Sequence, residues 1–139
     1  MSYEEKGTWL YLAVTVVTYV GYVMVVLGRT GNGSMASVAY VAPMLWAIGV
    51  SIALSVVGRI VLAVVRPGDR HRPDARDRDI NRFGEHVAGI ALGAGMVLPF
   101  ALTLWGAPHF WIANAIYAVF TAWAVFGAAV KLVAYRRGF

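Results

Sequence analysis

Arg59, Glu85, His86 and Lys131 are the residues of this chain best equipped for chemistry. A carboxylate and cations held at one membrane depth make an ion-paired lock or a seat for a phospholipid headgroup. Through the imidazole they also make a proton sensor. Glu85 and His86 would be the acid and base of a lipid-modifying enzyme. A second set is neutral. Thr8, Tyr11, Thr15, Thr18 and Tyr22 recur at spacings of 3 and 4, so they share one helical face. Asn114, Tyr117 and Thr121 do the same near the C-terminus. Such groups hydrogen-bond helices to one another in lipid, or line a polar path. Packing is the simpler account of both stripes. The third set is ionic. Arg70, Arg72, Arg76, Asp77, Arg78, Asp79 and Arg82 lie in the stretch 66–85, RPGDRHRPDARDRDINRFGE, and offer a docking surface for a partner protein or anionic lipid.

The elements that must position these residues are membrane-spanning helices. Apolar residues make up 60% of the 139 and charged residues 14%. Soluble domains have about 45–50% and about 25%. The excess apolar surface needs a bilayer. The composition predicts an all-α integral membrane protein, one domain over 1–139, with four transmembrane helices in an antiparallel bundle. The helices are expected over about 8–28, 36–65, 84–105 and 110–135, with 66–83 forming a charged loop and helix extension.

Local signals support that division. RTGNGS at 29–34 and GAPH at 106–109 are turns between antiparallel neighbours. Pro67-Gly68 ends the second helix, and Asp74 is a candidate N-cap for the third. In its first turns Arg76 with Asp79, and Asp79 with Arg82, stand at i,i+3. Gly89 and Gly93 have GxxxG spacing, which predicts a close crossing within the monomer, or else a homodimer seam. Pro99 predicts a kink, and Gly84 a bend at the interface. Ser51, Ser55 and Arg59 make a polar stripe on the second helix, and Arg59 and Lys131 can snorkel to the membrane surface.

Charge fixes the expected orientation. With four crossings, the termini and the 66–83 segment share a side. That side carries all but Arg29 of the twelve Lys and Arg. The positive-inside rule places it in the cytoplasm, N-in and C-in, in the plasma membrane. Arg far outnumbers Lys, and Ala, Val and Gly abound, as in GC-rich bacteria.

Several chemistries lack their residues. There is no Cys, so disulfides and thiolate metal sites are excluded. His86 and His109 stand about a membrane apart and cannot share a haem. Arg interleaved among Asp74, Asp77 and Asp79 neutralises carboxylates that a metal would need. The Gly-rich turn has no Lys-Ser/Thr ending for phosphate. Apart from Phe83, the Arg run has no aromatic residues for stacking nucleic acid. Helix one has no carboxylate of the kind small proton-coupled drug exporters use. No catalytic residue and no cofactor is assigned.

At 74–82, DARDRDINR resembles an uncharacterised family of small four-helix prokaryotic membrane proteins with an Asp-Glu-Arg-Asp type loop between the second and third crossings. The opening SYEEKGTW is similar to actinobacterial members, and Ala75 stands where the family has Glu. The resemblance implies the four-helix fold and a cytosolic regulatory protein as partner. The expectation is therefore a small accessory membrane protein whose charged cytoplasmic loop docks anionic lipid or such a partner. The alternative is a small transporter, or a transporter subunit, with a polar path between helices one and four.

Overall fold

A computed structural model describes residues 3–65 and 75–137. Arg66, Arg70, Arg72 and Asp74 lie outside the described residues. The described chain forms helices α1 (Tyr3–Thr30), α2 (Val41–Val65), α3 (Ala75–Gly95), α4 (Val97–Leu104) and α5 (His109–Arg137), with a short 3-10 turn at Met35–Ser37. α3 and α4 together make one span, interrupted at Met96. Four helices are thus long and apolar enough to cross a membrane, among them Val41–Val65 with mean hydropathy 2.4.

Helix ends follow local chemistry. α1 starts at Tyr3, five residues before the apolar run, with Glu4 and Glu5 in its first turn. Those carboxylates suit the positive end of the helix dipole. Thr8 Oγ1 donates to the Glu4 carbonyl at 2.9 Å, so this lead belongs to the helix. α2 begins at Val41 rather than near residue 36. Pro43 is the reason. In a helix running from 36, its missing N–H would leave the Ala39 carbonyl without a donor. Here Pro43 sits in the first turn, where no donor is needed, and Arg29 Nη1 donates to the Ala39 carbonyl at 3.1 Å.

The third span breaks at Met96, between α3 and α4. Pro99 is again the cause, since it cannot donate to the Gly95 carbonyl four residues back. α4 ends on Gly106, whose φ of 69° is left-handed. Gly106 N–H bonds to Thr103 and Ala107 N–H to Leu102, at 3.1 and 3.0 Å. This is a Schellman turn, and Pro108 follows it.

The helices pack in a row. α2 lies on α1, α1 on α5, and α5 on both α3 and α4. α2 contributes no buried residue. At one end, called here the charged end, the start of α1 meets the close of α2 and α5. Tyr3 hydroxyl donates to the Arg59 carbonyl at 3.2 Å, and Arg136 lies 5.7 Å from the Trp9 ring centre. At the other, the turn end, Tyr22, Val26, Val38 and Phe110 form a buried cluster under the 31–40 connection.

Small residues set the closest approaches, but not the pair that GxxxG spacing selects. A methyl at Gly95 would stand 2.8 Å from Val119 Cγ1, and one at Gly127 would stand 3.1 Å from the Ala88 methyl. At Gly89 and Gly93 a methyl would meet nothing within 4 Å. Both glycines are exposed. The expected close crossing within the monomer thus falls on Gly84, Ala88 and Gly95 of the α3 face toward α5. Gly89 is one position past Ala88, about 100° around the helix, so it faces away.

Candidate functional site: a charged-end cavity and the groove beyond it

Glu85 and Lys131 come together at the charged end. Lys131 Nζ stands 3.4 Å from Glu85 Oε1, with side chains 19% and 73% exposed. Gly84 permits this, because the Lys131 stem lies across it. A methyl there would be 2.5 Å from Lys131 Cγ. Arg59 reaches the same cavity of about 470 Å³ from α2, and Glu4 and Thr8 reach it from α1. Of the two cations expected beside Glu85, Lys131 pairs with it and Arg59 does not. His86 is exposed and lines neither this cavity nor its neighbour. One residue on from Glu85, it is turned about 100° away from α5. A first helix beginning at about residue 8, as the apolar run alone suggests, leaves Glu4 out of the site. The signal was the acidic first turn ahead of the apolar run.

The neutral stripe divides into two parts. Toward the turn end, Tyr22 hydroxyl donates to Asn114 Oδ1 at 2.7 Å, while Asn114 Nδ2 donates to the Phe110 carbonyl at 2.8 Å. Tyr117 packs edge-on against Tyr22 and Tyr19, with ring centres 5.1 and 5.2 Å apart. These residues hold α1 to α5 and fill the space between them. Nearer the middle, Tyr11, Thr15 and Thr18 of α1 floor a groove of about 750 Å³ between α2 and α5. Ser51 and Ser55 line its α2 wall, and Thr121 its α5 wall. Thr18 Oγ1 is satisfied by the Val14 carbonyl at 2.7 Å.

The ionic set sits on the first turns of α3. Ile80 is 0% exposed, and with Gly84 and Ala88 it makes a buried stripe one turn apart. Arg78 and Arg82 stand on the opposite side and are exposed, as are Asp79 between the two sides and Arg76 at the head of the stripe. Two bonds fasten this turn to the end of α5. Tyr135 hydroxyl donates to Asp77 Oδ1 at 2.9 Å, and Arg76 Nη2 donates to the Tyr135 carbonyl at 3.4 Å. Asp79 and Arg82, at i,i+3, form no ion pair with each other. Neither has an ion-pair partner among the described residues, and both are exposed. Arg70 and Arg72 belong to the same expected surface but lie outside the described residues.

Comparison with protein-family models, curated proteins and solved structures finds no match to this chain.

Proposed function

We propose that this is a bacterial plasma-membrane protein of four antiparallel spans, with both termini and the 66–83 segment in the cytoplasm. We read its role as accessory or regulatory. Its charged cytoplasmic face docks anionic lipid headgroups, and through them or beside them a cytosolic regulatory protein. The observation that carries this is the start of α3. Ile80 is fully buried and Asp77 is tied to Tyr135, so the helix is held at a fixed place while Arg78 and Arg82 face outward and Arg76 is exposed beside α5. A cation held near the membrane surface is worth about 1 kcal/mol toward anionic lipid. With the helix already fixed, contact orders only the arginine side chains and not the backbone that carries them.

The test is co-purification. Tagged protein extracted in mild detergent should carry phosphatidylglycerol or cardiolipin above its share in the membrane. The triple change Arg76→Gln, Arg78→Gln, Arg82→Gln should remove that enrichment, together with any cytosolic protein that travels with it. Identical lipid and protein in both preparations would sink the proposal.

A second reading, the small transporter or transporter subunit, is favoured by one observation: the hydroxyl-lined groove between α1, α2 and α5. Against it stands the Tyr22–Asn114 bond with its aromatic packing, which fills the α1–α5 contact at the turn end. Substrate flux in proteoliposomes, raised by Tyr22→Ala, would favour transport.

A further inference from the structure

The cavity and the groove share walls. Tyr11, Trp123 and Ala124 line both, so the charged hollow opens into the apolar one. Along α1 the joined space runs from Glu4 to Thr18. That stretch of helix is about 21 Å long at about 1.5 Å per residue. A bilayer with its headgroups is about 40–45 Å thick, so one leaflet is about 20–22 Å. Along α1 the space is about one leaflet deep, and it ends against Tyr117 of the tyrosine cluster.

The charges at its shallow end balance. Glu4 and Glu85 line the cavity with Arg59 and Lys131. Lys131 is engaged by Glu85. The Glu4 carboxylate and the Arg59 guanidinium have no partner among the described residues. Deeper in, the hydroxyls of Tyr11, Thr15, Ser51 and Ser55 are also without hydrogen bonds among the described residues. Elsewhere in the spans the pattern differs. Thr30 and Thr103 each donate to the carbonyl one turn back, at 3.0 and 2.8 Å, as does Thr18 at the deep end of the groove, at 2.7 Å. Hydroxyls in lipid normally find such partners. The hydroxyls of Tyr11, Thr15, Ser51 and Ser55 are left for a guest.

We infer that the groove holds one phospholipid of the leaflet on the charged side, with a headgroup carrying both a phosphate and a primary ammonium. This is the chemistry of phosphatidylethanolamine. The phosphate sits between Arg59 and Lys131, and the ammonium donates to Glu4. The ester region meets the Tyr11 and Ser55 hydroxyls, and an acyl chain lies along Ile48, Ile52 and Phe120. A headgroup with only negative charge leaves Glu4 facing it unpaired. A trimethylated ammonium keeps its charge but has no N–H to donate, and so forfeits the charge-assisted bond. The inference rests on the membrane-spanning part of the reading above, and not on docking by the start of α3.

Native mass spectrometry of the full chain in detergent tests it. The probes are phosphatidylethanolamine, phosphatidylcholine and phosphatidylglycerol with identical acyl chains. The first site should prefer phosphatidylethanolamine by about tenfold or more, the worth of one hydrogen bond to a charged group. Glu4→Gln should erase the preference over phosphatidylglycerol, and Arg59→Gln should weaken both lipids. Ser55→Trp, which fills the apolar part, should remove the first site for all three. Arg78→Gln with Arg82→Gln should leave the preference intact, which separates this site from the docking surface. Glu4→Gln adds no volume, so its result decides the matter even if Ser55→Trp does not fold. Equal affinity for the three lipids, a preference for phosphatidylglycerol, or a preference untouched by Glu4→Gln overturns the inference.

Discussion

Gly95→Ala should destabilise the protein, and Gly89→Ala should not. Both glycines lie in α3, six residues apart, and both changes add one methyl. Alanine raises helix propensity by up to about 1 kcal/mol at each. The surroundings differ. At Gly89 the methyl enters open space, so only the propensity gain remains. At Gly95 it would stand 2.8 Å from Val119 Cγ1 and 3.5 Å from Cγ2. Optimal carbon contacts are about 3.5–4.0 Å, so Val119 or a helix must move by most of an ångström. Valine in a helix has essentially one rotamer and cannot swing aside. Overpacking of this kind costs about 1–3 kcal/mol. The two variants should therefore differ by about that amount, read as unfolding free energy from SDS titration of the purified protein in mixed micelles. Val119→Ala removes the two colliding methyls and should restore much of the loss in Gly95→Ala. The coupling should be at least about 0.5 kcal/mol in a double-mutant cycle. Equal stability of the two glycine variants, or no coupling to Val119, would show that α3 and α5 do not touch as described.

Other outcomes follow from named contacts. Tyr22→Phe should cost about 0.6 kcal/mol and at most about 1.7, the range for one hydrogen bond between membrane helices. Asn114→Ala in that background should add little beyond its own lost bond to Phe110, and full additivity would mean the pair is not joined. Glu85→Gln should change stability by less than about 1 kcal/mol because the pair is largely exposed on the glutamate side. Gly84→Val should cost more, since it evicts the Lys131 stem, and a reversed order would refute that packing. Finally, Ala75→Cys should react with a membrane-impermeant maleimide only after cells are permeabilised. Labelling of intact cells would invert the proposed orientation.

The number and order of the spans were legible in the sequence. Each is a run of apolar residues long enough for a bilayer, and length is a one-dimensional property. So was the shared face of Thr8, Tyr11, Thr15, Thr18 and Tyr22, because helical period alone places them together. The break ahead of Pro99 was legible from its missing N–H, whereas the same property of Pro43 delays α2 to Val41, past the expected start near 36. Tertiary structure decided the rest. It chose Lys131 over Arg59 as the partner of Glu85, turned His86 away, brought Glu4 to the charged end, and used Gly95 where the spacing pointed to Gly89 and Gly93. It also set the helices in a row, which opens a groove that no single helix encodes. The reason is that lipid solvates apolar side chains as well as another helix does. Hydropathy therefore cannot mark which face is buried, and shape fit between particular neighbours makes that choice.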